Sequence, residues 1–286
     1  MAALTMNCLF CRSNGPFATS EHIIPESLGN TDLVISGHVC DACQNYFGRE
    51  IENFVLSKTP FGLWRVLLRI PRKDGKLPTI DLSIPKLQRI LPIWSEHHDN
   101  RIGLTAHEDG SVSLDIDDPA IVKELLSRER DYIQFVFSPK HLEQIGRLLG
   151  KICLELLCLY DPYLARSAQF DKLRNYVRRG VTKEIWPIFY ANKGNLKDLI
   201  RQRAQPSDVD GETQLYEYTV QWVEPYWIFS LHLGVDLWVL YMNDSRPSPI
   251  VKEVYPGLDW KPLWYPRDSW TNLFPQKNKS RSQEQE

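Results

Sequence analysis

The chain has 286 residues, of which 43% are hydrophobic and 24% are charged, and this is the composition of a folded globular protein. The length accommodates one large domain or two smaller ones. A formal net charge of −2 creates no overall attraction to nucleic acid, so a nucleic-acid function would need a local basic surface. No stretch has the pattern of a transmembrane helix or a secretion signal, which predicts a cytoplasmic protein without a membrane partner.

The first 57 residues contain two cysteine pairs in the pattern C-x2-C-x28-C-x2-C, formed by Cys8, Cys11, Cys40 and Cys43. Disulfides rarely persist in the cytoplasm, whereas four thiolates close a tetrahedral zinc site with no open position. So small a unit has little core, and a structural zinc ion contributes on the order of 10 kcal/mol to its folding. The sequence therefore predicts structural Zn²⁺; four unrelated thiols and a disulfide remain alternatives.

Around these pairs, turn residues are frequent, and residues 44–57 then repeat apolar side chains at helical spacing, as in Phe47, Ile51 and Val55. This pattern predicts short strands followed by a helix that leaves the second cysteine pair.

The remaining chain mixes helical and strand patterns. Residues 101–116 predict a hairpin around Asp109 and Gly110. The later segments predict a helix at 119–131 and a strand at 132–138. They then predict a long helix with one apolar stripe at 139–160 and further strands at 214–243. We therefore predict an α+β protein with a zinc unit at 1–57, a larger mixed α/β domain with antiparallel strands at 58–270, which binds a target or regulates, and a disordered tail at 271–286.

One segment of this otherwise slightly acidic chain is basic. Residues 166–203 contain ten Lys or Arg and three Asp or Glu residues. Within it, a predicted helix at 172–180 carries Arg174, Arg178 and Arg179, which could follow a phosphate backbone. The alternative is a solvated helix face.

The stretch SEHIIPESLGN, residues 20–30, places one histidine between the cysteine pairs. If sulfur alone ligates the zinc ion, His22 is free for another role. Glu21 precedes it, and neighbouring residues of a strand point to opposite faces, which is unfavourable for a hydrogen-bonded pair unless a bulge or strand end intervenes. The alternative is an ordinary turn histidine beside a zinc site.

These residues together resemble the HNH endonucleases of the four-cysteine type. The resemblance rests on four short motifs in a fixed order, Glu21-His22-Ile23-Ile24-Pro25, Leu28-Gly29, Cys40-x-x-Cys43 and Phe47-Gly48. It covers about 50 residues and implies a ββα-metal finger, which is a hairpin and a helix held by structural zinc.

The resemblance also implies catalytic roles. His22 would be the general base that activates water, and Glu21 would bind a catalytic Mg²⁺ or Mn²⁺ ion. The family's further ligand after the last cysteine corresponds to Gln44, with Asn45 as the alternative. The family's middle asparagine has no match in residues 31–40, where His38 either approaches the site or is a plain turn histidine.

The expected function is therefore metal-dependent hydrolysis of phosphodiester bonds, in DNA, with RNA as a weaker alternative, and by analogy in a prokaryotic defence system. A single HNH unit cuts one strand, so double-strand cleavage would imply a homodimer. The alternative is an inactive HNH-fold zinc module that binds nucleic acid or acts as a scaffold, and the departure at Gln44 favours it.

Overall fold

The computed structural model describes most of the chain, namely residues 7–67, 69–72, 75–85, 99–109, 111–129, 137, 139–180, 186–194, 216–244 and 249–263. The predicted strand at 132–138, apart from residue 137, and the predicted tail at 271–286 lie outside these residues.

The N-terminal unit is a short hairpin followed by a long helical segment. The hairpin strands are antiparallel, with Glu21 opposite Ile35, and are β1 (Ser20–His22) and β2 (Val34–Ser36). A 3-10 turn at Glu26–Leu28 lies between them, and Gly29 follows it with a φ of 85° that suits glycine. The helical segment consists of α1 (Asp41–Phe47), a π-helical turn (Gly48–Glu52) and α2 (Asn53–Lys58). Short strands followed by a helix are as predicted.

A small three-stranded sheet follows the next helix. The elements are α3 (Phe61–Leu67), β3 (Thr79–Pro85), β4 (Asp99–Ala106) and β5 (Val112–Ile116), with antiparallel pairing in the order β3-β4-β5. The predicted hairpin at 101–116 is confirmed. Helix α4 (Pro119–Leu126) starts as predicted, with Asp118 accepting a hydrogen bond from the Ala120 amide, but it ends five residues earlier than predicted. Arg128 has a φ of 61°, which a helix cannot contain.

The longest helix, α5 (Pro139–Tyr160), is the predicted one. Its apolar stripe is buried from Leu142 to Leu156, and only Leu159 at its end is exposed, at 41%. Two 3-10 turns lead from it to α6 (Asp171–Arg179). Since α5 is buried on nearly all sides, it is the central element around which the other layers pack.

The second sheet has five antiparallel strands in the order β10-β6-β9-β8-β7. In chain order these are β6 (Ile188–Asn192), β7 (Tyr216–Val223), β8 (Tyr226–Leu233), β9 (Asp236–Tyr241) and β10 (Lys261–Leu263), with α7 (Val251–Val254) before the last. All six residues of β9 are buried, as expected for a strand covered on both faces. The structure is thus a mixed helical and antiparallel-sheet fold, which confirms the predicted class.

One hydrophobic core connects the N-terminal unit to the rest of the described chain. It contains Phe47 and Val55 from the first unit, Ile152 from α5 and Trp238 from β9. The unit therefore does not have a separate core, and the division at residue 57 stays a prediction. None of the helices in the described ranges is long and apolar enough to cross a membrane.

We expect Trp238→Ala to lower the free energy of unfolding by about 3–5 kcal/mol, the usual effect of truncating a buried aromatic side chain. Trp238 is 1% exposed, and its ring lies 4.9 Å from those of Phe61 and Tyr190. Trp222→Ala is the matched control, because Trp222 is 50% exposed. Urea unfolding measures both changes; equal losses would contradict this account of the core.

Candidate functional site: a zinc cluster beside a buried lysine pocket

The four predicted cysteines meet at one point. Their Sγ atoms all lie within 4.8 Å of one another, and all four are free thiols. Cys40 is the N-cap residue of α1 and Cys43 lies in its first turn, whereas the first pair precedes β1. Cys11 is exposed and the other three are buried. The cluster therefore joins the chain before the hairpin to the start of the helix.

The pKa values of the clustered thiols are shifted in opposite directions. The pKa of the Cys8 thiol is lowered to about 4, mainly by its hydrogen bond with Cys43, while burial opposes the shift. The same hydrogen bond, together with burial, raises the pKa of Cys43. The Cys40 amide also donates to Cys8 Sγ at 3.4 Å. Soft sulfur donors that include a stabilised thiolate fit Zn²⁺, and four of them leave no open position.

Glu21 and His22 separate, as alternation along a strand requires. Glu21 points inward and is 7% exposed, whereas His22 is half-buried. His22 Nδ1 is nevertheless buried and has no hydrogen-bond partner among the described residues. Glu21 is thus turned into the protein, and the joint catalytic role of the two residues stays a prediction.

The carboxylate of Glu21 binds a lysine instead. Lys151 of α5 is fully buried, and its Nζ lies 2.6 Å from Glu21 Oε1, 3.0 Å from Glu52 Oε1 and 3.2 Å from Glu155 Oε2. Nζ also donates to the main-chain oxygens of His22 and Ile23, at 2.9 and 3.4 Å. We call these three carboxylates and two carbonyl oxygens the acidic pocket.

The charges of the acidic pocket are strongly coupled. Burial opposes a charge on Lys151, but attraction by Glu155, Glu52 and Glu21 outweighs it and raises the pKa of the ammonium. Burial raises the pKa values of Glu21 and Glu155, with the Lys151 charge acting against the shift. Lys151 therefore stays charged, and the carboxyl groups of Glu21 and Glu155 hold their protons more strongly than in water.

Sequence reasoning missed this lysine. Its signal is a set of polar residues at helical spacing within the long helix predicted at 139–160, namely Gln144, Arg147, Lys151 and Glu155. Such a row normally indicates a solvated face, but here all four side chains are buried. The row faces the N-terminal unit, where Arg147 donates to the Tyr46 hydroxyl of α1.

Gln44 is already engaged. Its Nε2 donates to the carbonyl oxygens of Thr19 and Val39 at 3.0 and 2.9 Å, and its Oε1 accepts from the Thr19 hydroxyl at 2.8 Å. In this structure, Gln44 anchors the chain before β1 to α1. Asn45 is exposed one position further along the helix. Glu21 and Gln44 thus have protein partners, and the combined site of these residues with His22 and Asn45 stays a prediction.

An asparagine immediately before residues 31–40 orders the loop after His22. Asn30 is 1% exposed, donates to the carbonyl oxygens of Ile24 and Leu33, and accepts from the Leu33 amide and the Tyr216 hydroxyl. The Gly29-Asn30 turn was its sequence signal. His38, by contrast, faces Arg166, at 3.2 Å from its guanidinium, and not the His22 region.

The basic residues of α6 differ in role. Arg174 is 2% exposed and donates to the carbonyl oxygens of Ala165 and Ser167 and to Asp171, so the expectation that it contacts nucleic acid is corrected. Its position on the buried side of an amphipathic helix is the reason. Arg178 is half-buried and stacks over the Tyr46 ring at 4.0 Å, and Arg179 is exposed.

The residues expected to bind zinc and those expected to bind a catalytic ion differ in how well they suit these metals. The cysteine cluster has the donors and spacing of a zinc site. Two of the residues expected to hold a catalytic Mg²⁺ or Mn²⁺ have other partners, because Lys151 holds Glu21 and three hydrogen bonds occupy Gln44.

We expect Cys43→Ser to remove the bound zinc and unfold the N-terminal unit, since a hydroxyl is a poor zinc ligand and the cluster joins both ends of that unit. Metal analysis together with near-UV circular dichroism measures the change. Cys153→Ala removes a buried thiol outside the cluster and should retain the zinc. Full zinc content in Cys43→Ser would contradict the assignment.

Comparison with known proteins gives one positive result. The family model described as HNH endonuclease matches residues 8–59. No curated protein and no solved structure matches the chain. The matched range contains all four clustered cysteines, the β1-β2 hairpin and the helical segment. The resemblance seen in the sequence is thereby confirmed for residues 8–59, which are similar to the HNH endonuclease family.

Proposed function

We propose that this protein is an endonuclease that hydrolyses phosphodiester bonds in DNA, with His22 as the general base. The observation that carries the proposal is the match to the HNH endonuclease family over residues 8–59, within which the four cysteines cluster and leave His22 outside the zinc site. Its setting would be the cytoplasm, in a prokaryotic defence system, an assignment that rests on analogy with proteins of similar N-terminal sequence.

The environment of His22 suits proton transfer. A neutral imidazole can take a proton from water near pH 7, provided that its ring is held in place. Lys151 binds the main-chain oxygen of His22, and Asn30 binds that of Ile24, so the strand end is fixed from two sides. Because Nδ1 is buried, we assign Nε2 as the nitrogen that faces the attacking water.

Basic residues beside the unit supply a surface for the substrate. Arg178 stacks on Tyr46 of α1, and the exposed Arg179 follows it on α6. Two arginines at the end of a short helix would contact backbone phosphates rather than read bases. Double-strand cleavage would require a second copy of the unit, and hence a homodimer.

A catalytic Mg²⁺ or Mn²⁺ ion is not part of the proposed mechanism. Glu21 and Gln44, two of its expected ligands, have other partners, so we derive no step through it. What the chain itself supplies is the histidine base, the ordered loop that carries it and the basic surface.

A second function is favoured by the acidic pocket. An HNH-fold unit whose acidic residue is neutralised by lysine could bind nucleic acid or act as a scaffold without cutting. The Glu21–Lys151 distance of 2.6 Å is the observation that favours this alternative.

We expect His22→Ala to abolish cleavage, because no other group in the proposal accepts the proton. The assay incubates supercoiled plasmid, or RNA of similar length, with the zinc-loaded protein, with and without added Mg²⁺ or Mn²⁺, and follows nicked and linear products. His107→Ala, an exposed histidine outside the unit, is the control. Equal cleavage by wild type and His22→Ala would rule out the base, and no cleavage by wild type would favour the binding function.

We expect Arg179→Ala to weaken nucleic-acid binding and to lower the slope of log K against log salt by about one, as the loss of one phosphate contact should. Arg174→Ala should instead reduce stability, because Arg174 holds the turn before α6. Lys123→Ala, an exposed lysine on α4, is the charge-matched control. Fluorescence anisotropy at several salt concentrations measures the slope, and the same slope in wild type and Arg179→Ala would exclude this contact.

A further inference from the structure

The polar row of α5 is the main connection between the matched unit and the rest of the chain. Arg147 reaches Tyr46, and Lys151 reaches Glu21 and Glu52. Helix α5 starts at Pro139, far outside the matched residues 8–59. A segment that the family model does not contain therefore supplies a cation to the interior of the HNH unit.

The donors around Lys151 are those of a hard-cation site. Three carboxylates and two main-chain carbonyls surround Nζ, at 2.6 to 3.4 Å. Carboxylate and carbonyl oxygens are the ligands that Ca²⁺ and related ions take, at somewhat shorter distances and usually six to eight in number. The pocket thus has the chemistry of a divalent-ion site, with an ammonium group at its centre.

The Lys151 ammonium cannot donate a separate hydrogen bond to every oxygen of this pocket. A lysine has three N–H donors, and five oxygens surround it. Within the described part of the chain, both carboxylate oxygens of Glu155 are buried without a hydrogen bond, although Oε2 lies 3.2 Å from Nζ. The single positive charge of Lys151 faces three acidic side chains, so one lysine supplies fewer cationic charges than the pocket has acidic groups.

We propose that the Lys151 ammonium is the resident cation of the acidic pocket and excludes a divalent metal ion from it. Glu21 is then unavailable to a catalytic ion as long as α5 is packed against the hairpin. The lysine also holds the main chain at His22 and Ile23. It does so from α5, a segment outside the hairpin, whereas a bound ion would not require α5 at this position. Any hard-cation chemistry at Glu21 requires displacement of α5.

This inference goes beyond the nuclease proposal, and it can be tested without nucleic acid. Zinc-loaded wild type, Lys151→Ala and Lys151→Ala/Glu155→Gln are titrated with Mn²⁺, and free Mn²⁺ is followed by electron paramagnetic resonance. Lys140→Ala is the matched control, since Lys140 is an exposed lysine on the same helix. Zinc content is measured alongside to show that the cysteine cluster is intact.

The expected result is no specific Mn²⁺ site in wild type or Lys140→Ala, one site in Lys151→Ala, and at least tenfold weaker binding in the double variant. A one-to-one Mn²⁺ site in wild type that Glu21→Gln abolishes would overturn the proposal. So would a folded, zinc-loaded Lys151→Ala that binds no Mn²⁺.

Removal of a buried charge can also prevent folding, and thermal unfolding covers that case. If Lys151→Ala is unfolded without added metal, Mn²⁺ or Ca²⁺ should restore a cooperative transition, because the ion replaces the missing ammonium. Failure of both ions to restore folding would overturn the proposal as well. The plasmid assay on wild type is independent of these outcomes.

Discussion

The structure depends on one buried charge. Lys151 is fully buried, and three carboxylates and two main-chain oxygens within 3.4 Å hold its ammonium group. A buried charge is tolerated only with partners, and removal of one partner leaves the others uncompensated. The hairpin strand β1, the π-helical turn at Glu52 and helix α5 are therefore constrained to one mutual arrangement. The position of His22 follows from it, because Lys151 binds the main chain at that residue.

The zinc cluster constrains the same unit from the other end. It joins the chain before β1 to the first turn of α1, where Gln44 and Asp41 both bind Thr19. In such a small unit, thiolate ligation compensates for a limited core. The unit nevertheless shares its core with α5 and β9. The cysteine cluster thus connects the local loops, whereas Lys151 and apolar packing orient the unit against the rest of the described chain.

These two constraints explain why the chain is similar to the HNH family over residues 8–59 while Glu21 binds a lysine outside that range. The match over residues 8–59 concerns the zinc ligands, the hairpin and the helix. The direction of Glu21 is decided by a residue outside that range. A family's sequence motif predicts the local fold, because residue spacing within the motif determines that fold. A side chain of the motif can still bind a different partner when another segment of the chain packs against it.

The sequence by itself determined the cysteine cluster, the helix at Pro139–Tyr160, the hairpin before Ile116 and the HNH likeness, since each depends on spacing within one segment. It did not reveal that Lys151 is the partner of Glu21, because this lysine lies on α5, 129 residues beyond His22 in the chain. Nor did it separate buried Arg174 from exposed Arg179, because both lie on one basic helix. Local patterns encode periodicity and ligand spacing. Only tertiary packing decides which polar groups are buried together, because burial and charge pairing act between segments that are distant in the chain.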